Sequence, residues 1–367
     1  MLDFLLPDTR PALPRPVLSV ASAGLCCAVG YNLDAAACAI AASMDHFQHS
    51  EFIGRNGEPI IVARLDGENV WGQDRLASWI GHAVRDALRH LPDPQQHAMP
   101  MLWLAPSPER HGLQADWYKA TFNQAMQEFG LPVHPLSAII PQGRAGLASA
   151  LEQIGQWLAR HPLDRAMLIG ADTYLDAASI NHYLASERLL ADDNSDGFIP
   201  GEAAAAVVIE RHQLPQDELD ALPNRLWLYG WGKGEEAARM GGDVPNRSQG
   251  MTTAMRAALS NARVGMADLD FRLSDQNGEA WFVTDAVNAL TRITPQDAAK
   301  LPVLTLADRL GEIGAATGPA MLAWLHRMRG QPDSQLYPPG ELGLLHQAND
   351  NGLRSCVIAG FTPPLVA

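Results

Sequence analysis

Two histidines have the spacing of a potential metal site. His46 and His49 lie three positions apart, which would place both imidazoles on one face of a helix, and Glu51 follows them. Zinc sites normally need a third protein ligand in register with such a pair, and none follows at a suitable spacing. The sequence therefore predicts no metal, and no pattern in it predicts another cofactor.

A pair of acidic side chains offers the one arrangement suited to acid–base chemistry. Glu312 could work with Asp275 or with Asp308, one carboxyl group donating a proton while the other accepts one. The sequence leaves both alternatives open.

The four cysteines have no spacing typical of metal ligands, and the two adjacent ones are too close to bridge each other. They are Cys26, Cys27, Cys38 and Cys356. We expect buried free thiols that pack as small apolar residues in a reducing compartment.

The composition is that of an ordinary globular chain. Hydrophobic residues make up 47% and charged residues 19%, and the 367 residues allow one large domain or two fused halves. The formal net charge of −14, with no basic stripe, argues against nucleic-acid binding. Prolines interrupt residues 1–16 and no run of about 18 apolar residues occurs, so we expect no signal peptide, no membrane span and a cytoplasmic location.

The most informative stretch is DGFIPGEAAAAVVIER, from Asp196 to Arg211. A polar turn leads through Phe198 into a small and then β-branched apolar run, from Ala203 to Ile209. A near-continuous apolar run of this length suits a strand that is covered on both faces. The stretch therefore predicts a loop that leads into a fully buried strand.

Strands and helices alternate along the rest of the chain. In the first half we expect strands near 17–23, 99–104, 133–140, 165–171 and 203–210, and helices starting near 32 and covering 72–90, 115–129, 145–160 and 180–189. After a linker near 214–224 we expect strands near 225–230, 270–273, 303–307 and 353–360, and helices near 249–264, 279–293 and 315–329. This alternation predicts an α/β fold with parallel, helix-covered sheets.

Residues 196–210 resemble a signature of the β-ketoacyl synthases of the thiolase superfamily, in which D-G-F-x-x-G-E-G-A-A opens the last strand of the N-terminal half. The match is DGF-IP-GEAAAAVVIE, with Ala203 at the usual glycine. Residues 165–172 are similar to the family strand that ends in G-G-A-E, and residues 305–318 to the segment K-S-x-x-G-H-x-x-G-A-A-G. The resemblance covers about 17–363 and implies a thiolase fold, with duplicated halves forming a five-layered αβαβα body.

The residues of the family's condensing site are replaced in this chain. The family carries a cysteine on a strand-to-helix turn, where the helix dipole lowers the pKa of the thiol. That cysteine corresponds to Gly143, or to Arg144 if the register slips by one. The two family histidines correspond to Asn277 and Glu312, and the family lysine to Ala307. The resemblance implies a scaffold that has lost its Cys-His-His site.

A vestigial pocket would be lined by Gln142, Gly143, Arg144, Phe198, Asn277, Glu312 and Phe361. The arginine at the turn has two interpretations. Its guanidinium could close the former acyl tunnel or bind a carboxylate or phosphate, or it could form an ordinary ion pair at a surface or interface.

The resemblance also implies a domain plan and a partner. The plan is a proline-rich arm at 1–16, an N-terminal thiolase-like half at 17–213 and a C-terminal half at 214–367. Family members are dimers joined mainly through the strand before the catalytic turn, here 134–140, which implies a homodimer or a heterodimer with a thiolase-fold paralogue. The arm and the charged segment 232–247 would be docking surfaces for a protein client. The run GWGKG at 230–234 lacks the spacing of a phosphate-binding loop and would lie in the crossover between halves.

Three functions are compatible with these observations. The first is a non-catalytic scaffold or partner subunit, comparable to chain-length factors of polyketide systems, in which glutamine replaces the cysteine; Gln142 lies one position early for that match. The second is an accessory or chaperone factor of a bacterial toxin-secretion (type VI) cluster. The third is a residual acyl-transfer or decarboxylating enzyme of fatty-acid or polyketide metabolism that uses the Glu312 pair. The first is our prediction, so the chain is expected to be a pseudoenzyme.

Overall fold

The computed structural model describes residues 3–4, 17–65, 70–91, 99–113, 116–222, 225–296, 300–329 and 340–365. For residues 3–4 only the backbone is described. The rest of the expected arm at 1–16 lies outside the described residues.

The first half of the chain alternates strands and helices largely as the sequence predicts. Asn32 caps the first long helix, since its side chain accepts a hydrogen bond from Ala35 N. The elements are β1 Asp3–Phe4, β2 Val17–Cys27, α1 Leu33–Ala41, β3 Phe47–Ile53, β4 Pro59–Ala63, α2 Gly72–Arg89, β5 Met101–Ala105, α3 Trp117–Glu128, β6 Ala138–Pro141, α4 Leu147–Arg160, β7 Arg165–Thr173, α5 Ala177–Ala185 and β8 Glu202–His212.

The second half begins with a short helix in the segment expected to be a linker. It also contains a strand that the sequence did not predict, β12. The elements are α6 Gln216–Asp220, β9 Leu226–Glu235, α7 Gln249–Ala262, β10 Phe271–Ser274, α8 Ala280–Ile293, β11 Val303–Thr305, α9 Ala307–Leu310, α10 Thr317–Met328, β12 Leu342–Ala348 and β13 Leu353–Gly360.

Eleven strands of the described residues form one mixed sheet in the order β1-β6-β5-β7-β8-β2-β9-β13-β12-β10-β11. The flanking pairs are parallel, and the six central strands from β7 to β12 are joined by antiparallel pairs. The expectation of purely parallel sheets was therefore wrong, because hydrophobic periodicity does not encode strand direction. The short connection from β12 to β13 permits only a hairpin, and a hairpin is antiparallel.

The two groups of five strands share one order. In the first half the group consists of β2, β5, β6, β7 and β8, and across the sheet it runs third, second, fourth, fifth and first of these five. The second group, β9 to β13, runs in the same order from the opposite edge. The two first strands, β2 and β9, pair antiparallel where the groups meet.

The strand before the turn at 142–146 is shorter than expected. The sequence predicts a strand over 133–140, but β6 spans only Ala138–Pro141. Pro135 lies in a turn in which Ser137 N donates to His134 O, and a proline supplies no ladder donor. The outer edge of β6 is paired in parallel with β1, with Asp3 opposite Ala138 and Phe4 opposite Ile139.

The segment with the two histidines is a hairpin and not a helix. His49 lies in β3, which pairs antiparallel with β4, and His46 comes just before that strand. A tight turn at 54–57 joins the strands, in which Gly57 N donates to Gly54 O. The helical spacing inferred for the pair was wrong. Within the described ranges no group of three or more His, Cys, Asp or Glu side chains is placed to hold a metal ion.

The core consists of layers on both faces of the sheet. Every residue of β8 from Ala203 to Ile209 is fully buried, as the apolar run predicts. One cluster unites α4 and α10 with strands of both halves, a second joins α2 and α3 to the first half, and a third joins α7 and α8 to the second half. None of the described helices is long and apolar enough to cross a membrane.

The glycine-rich run 230–234 lies inside β9 and not in a crossover loop. Its alternate glycines face α7 at close range. An added Cβ would lie 2.5 Å from Ala262 N at Gly230, 2.2 Å from Ala254 O at Gly232 and 1.9 Å from Gly250 O at Gly234. The run therefore lets α7 lie directly on the strand.

Candidate functional site

The turn after β6 is built around a glycine and an asparagine clamp. Gly143 has φ 63°, a left-handed conformation that favours glycine, and its N–H donates to Ala105 O. A single 3₁₀ turn, Arg144–Gly146, then leads into α4. Asn349 holds the turn, since its Nδ2 donates to Gln142 O at 2.6 Å and its Oδ1 accepts from Ala145 N at 2.8 Å.

The side chain of Arg144 is buried between acids of the second half. Its Nε donates to Ala348 O at 2.8 Å and lies 3.0 Å from Asp275 Oδ2, and its Nη1 pairs with Glu312. The guanidinium also lies over the ring of Phe282, 4.3 Å from its centroid. The sequence left open whether this arginine binds a ligand or forms an ion pair, and here it forms ion pairs.

Glu312 is held by three donors. Its carboxylate pairs with Arg144 and accepts hydrogen bonds from Asn277 Nδ2 at 2.6 Å and from Gly314 N at 2.8 Å. Backbone bonds fix its position too, since Glu312 N donates to Ile199 O and Gly201 N donates to Glu312 O. The DGFIPGE stretch thus positions Glu312 as well as leading into β8.

Asp275 is the acid that completes this arrangement, and Asp308 is not. Asp275 accepts from Ala348 N at 2.7 Å and shares Arg144 with Glu312. Burial, with the negative charge of Glu312 adding to it, raises the pKa of Asp275 to about 6, against the opposing effect of Arg144. Asp308 is about half exposed and pairs with its neighbour Arg309.

Two further arginines line the same region. Arg110 donates to Asp172 Oδ2 at 2.8 Å, and that oxygen also accepts from Ala315 N. Burial raises the pKa of Asp172 to about 6, although Arg110 lowers it. Arg188 pairs with Glu279 and Asp350 at 2.6 and 2.8 Å. Each of the three arginines is therefore bound to at least one carboxylate.

These groups surround a cavity of about 230 Å³. One wall is aromatic, because the rings of Tyr174, Tyr183 and Phe198 lie 5.0–5.5 Å apart. The imidazoles of His111 and His182 stack at 3.6 Å, and burial with the charge of His111 lowers the pKa of His182. The lining comprises Ser107, Glu109, Arg110, His111, Gly143, Arg144, Tyr174, His182, Tyr183, Arg188, Phe198, Met240, Asn277, Glu312, Asn349, Asp350 and Asn351.

Five of the seven residues expected in the vestigial pocket line this cavity. Gly143, Arg144, Phe198, Asn277 and Glu312 do so. Gln142 contributes only a backbone oxygen to the Asn349 clamp, and Phe361 packs against the central hydrophobic cluster. Neither is among the residues that line the cavity.

Several lining residues carried no recognisable sequence signal. Asn349, Asp350 and Asn351 follow β12, the strand that the sequence did not predict. Arg110, His111 and Arg188 lie in irregular segments outside any motif. A run of amide and acid residues after a strand would have been the one usable indication.

The cysteines lie outside this cavity. Cys26, Cys27 and Cys356 are buried free thiols, as expected, whereas Cys38 is exposed on α1. Burial raises the pKa of each of the three buried thiols, and that of Cys27 reaches about 12. These thiols are therefore neutral near pH 7 and poor nucleophiles.

By sequence, no family model and no curated protein matches the chain. By structure, the chain has the α/β fold of thiolase-like ketosynthases. The ishigamide ketosynthase/chain length factor matches with a TM-score of 0.73 at 14% identity, over 95% of this chain and 100% of that one.

Two other solved ketosynthase structures have a similar fold. The ketosynthase ApeO in complex with its chain length factor ApeC, from Xenorhabdus doucetiae, gives a TM-score of 0.67 at 15% identity over 95% and 98% of the chains. The oxazolomycin ketosynthase domain OzmH KS7 of Streptomyces albus gives a TM-score of 0.71 at 12% identity, over 96% of this chain and 75% of that one. At these identities the likeness is one of fold alone.

Proposed function

We propose that this protein is a non-catalytic ketosynthase-like scaffold or partner subunit that has lost the condensing site. One observation carries the proposal. The side chain of Arg144, at the turn after β6, is ion-paired to Glu312 and Asp275, and these charges occupy the position where the family resemblance would place a nucleophile.

The cavity offers no thiolate for acyl transfer. Gly143 has no side chain, and no cysteine is among the residues that line the cavity. Cys356 of β13, the one cysteine in the second half of the chain, donates its thiol proton to Met251 Sδ of α7. A covalent acyl intermediate would need a different nucleophile, and neither tyrosine of the wall has a lowered pKa: burial raises that of Tyr174 and of Tyr183.

Glu312 is not available as a catalytic acid or base. Its carboxylate already accepts from a guanidinium, an amide and a backbone N–H, so proton transfer would break bonds inside a buried network. A carboxylate also repels a developing oxyanion, which condensing chemistry must stabilise. This argues against the alternative of a residual decarboxylase or acyl transferase.

A duplicated architecture is part of the proposal. The shared strand order of the two groups of five supports two related halves at 17–213 and 214–367. The central cluster of α4 and α10 and the two outer helix pairs support a five-layered αβαβα arrangement.

The partner we propose is a thiolase-fold subunit, either a second copy or a paralogue. Two of the similar structures are named as a ketosynthase with a chain length factor, which supports this class of partner. Pairing through β6 would require displacement of β1, because β1 already covers Ala138 and Ile139.

The test is a search for a covalent adduct at the turn. The wild-type protein is incubated with malonyl- and acyl-thioesters, beside an intact β-ketoacyl synthase as positive control, and intact mass and peptide maps are recorded. We expect no mass shift within residues 140–150. An acyl adduct mapped to that segment would overturn the proposal.

A cysteine variant tests whether restoring the thiol alone restores condensing activity. Gly143→Cys, checked for folding by circular dichroism, should form no condensation product, because Asn277 and Glu312 do not replace the two histidines and such sites act as units. Native mass spectrometry of the protein from its host then identifies the partner. A bound thiolase-fold subunit supports the proposed role, whereas a bound toxin or secretion component would favour the accessory role.

A further inference from the structure

A second groove lies between the β3–β4 hairpin and the segment after α5. Its volume is about 280 Å³. Its floor is apolar, with Ile60 and Leu189 almost fully buried. Ile61, Leu184 and Leu190 extend this apolar lining.

The rim of the groove is acidic. Four carboxylates line it, from Glu58, Glu187, Asp192 and Asp193. Arg55 is the one arginine of the lining, and its guanidinium is already bound to Glu187 and to Ala185 O. The local charge is therefore strongly negative, in line with the net charge of −14 of the whole chain.

The rim is held in place before any ligand binds. Asn194 Nδ2 donates to Glu187 O at 2.8 Å and to Leu189 O at 2.9 Å, and Ala191 and Asn194 exchange backbone hydrogen bonds. A preformed rim reduces the ordering cost of binding. The volume is at the low end of ligand pockets, which suits one or two side chains of a peptide better than a whole cofactor.

We propose that this groove binds a basic, amphipathic segment of a partner protein. An apolar side chain of the partner enters between Ile60 and Leu189, and lysine or arginine side chains on either side of it pair with Asp192, Asp193 and Glu58. Charge complementarity selects this occupant, because an acidic or uncharged segment would leave the rim carboxylates without counter-charges. The proposal extends the scaffold role by specifying the chemistry of a partner segment.

The groove and the ketosynthase-type cavity share one small hydrophobic cluster. Ile60 and Leu189 of the groove floor pack in the same cluster as Tyr174, Tyr183 and Phe198 of the cavity wall. A side chain seated in the groove therefore presses on the far side of that wall.

The test uses three labelled decapeptides and fluorescence anisotropy at about 150 mM salt. One alternates lysine and leucine, one alternates lysine and serine, and one alternates glutamate and leucine. We expect the lysine–leucine peptide to bind at least tenfold more tightly than either of the others. Equal affinity for the lysine–serine peptide would show that the apolar floor takes no part and would overturn the proposal.

Paired charge-reversal variants separate the groove from general attraction to an acidic protein. Asp192→Lys with Asp193→Lys changes the rim, and Glu128→Lys with Asp243→Lys makes the same change of net charge at exposed positions outside the described cavities. The rim variant should lose at least tenfold in affinity, and the control less than twofold. An equal loss in both would disprove the proposed site. Peptide binding does not depend on the reactivity of the turn, so this proposal and that of a lost condensing site can fail separately.

Discussion

Several buried charges of this protein lie in direct contact with charges of the opposite sign. Arg144 forms ion pairs with both Glu312 and Asp275, and Arg110 forms one with Asp172. Removal of one partner from such an ion pair leaves an uncompensated buried charge, which typically costs about 3–5 kcal/mol. The network around the cavity is therefore a constraint on the structure, whatever the chemistry of the site.

A buried histidine outside the cavity should make the protein sensitive to acid. His346 is fully buried in β12, and neither ring nitrogen has a hydrogen-bond partner among the described residues. Burial, with the charge of Arg272 adding to it, lowers the pKa of His346 from 6.5 to about 3. Between these values the folded state binds fewer protons than the unfolded state, so stability is fully present above pH 6.5 and is lost as the pH falls towards 3.

The His346→Leu variant should lose this dependence. From pH 7.5 to pH 5 the wild type should lose about 2 kcal/mol more unfolding free energy than the variant, since each pH unit in the window is worth about 1.4 kcal/mol. Urea unfolding at the two pH values measures the difference. His46→Leu, at an exposed position, is the control and should leave the wild-type pH dependence unchanged. Parallel curves for wild type and His346→Leu would contradict the prediction.

At the scale of elements, the contact of α7 with β9 depends on the absence of side chains. The backbone of α7 lies where a Cβ on any of the three alternate glycines of β9 would be, and the closest atoms are backbone atoms that cannot rotate away. Overpacking of this kind forces the backbone to shift.

Gly232→Ala should therefore destabilise the protein by about 1–3 kcal/mol, since its Cβ would lie 2.2 Å from Ala254 O. The midpoint of urea denaturation measures this loss. Lys233→Ala, the next residue of the same strand, is the matched control. Its side chain is 43% exposed in a surface ion pair with Glu152, so we expect a loss of at most about 1 kcal/mol. Equal midpoints for wild type and Gly232→Ala would refute the packing argument.

At the scale of the whole molecule, association of two copies through the sheet depends on whether its edge at β6 is covered. The edge at β6 is covered by β1 over Ala138 and Ile139. An uncovered edge presents unpaired N–H and C=O groups and tends to pair with another chain.

Loss of β1 should promote self-association. The double variant Asp3→Pro, Phe4→Pro keeps the chain length but removes two ladder donors, and deletion of residues 1–16 removes the strand. Both should increase the dimer fraction at micromolar concentration in size-exclusion chromatography with light scattering. An unchanged mass distribution in both variants would show that this edge does not control association.

The sequence determined the order of most elements and the identity of the signature loop. The apolar run of β8 was sufficient for this, as was the four-residue spacing of Leu76, Ile80, Val84 and Leu88 in α2, because burial pattern and helical period are local properties. The resemblance carried by DGFIPGE also led to four of the positions around the cavity, Gly143, Arg144, Asn277 and Glu312, although they are far apart in the chain.

Only the tertiary structure decided strand direction, the pairing of the charges and the groove. β12 has no clear alternation, so the hairpin that it forms with β13 and the amide-rich loop between the two strands could not be predicted. Arg144 finds its acids 131 and 168 positions away (275 − 144 and 312 − 144), and such long-range pairs leave no periodic trace in a single sequence. Which charges pair depends on which backbone segments the eleven-stranded sheet brings together, and that is a property of the whole fold.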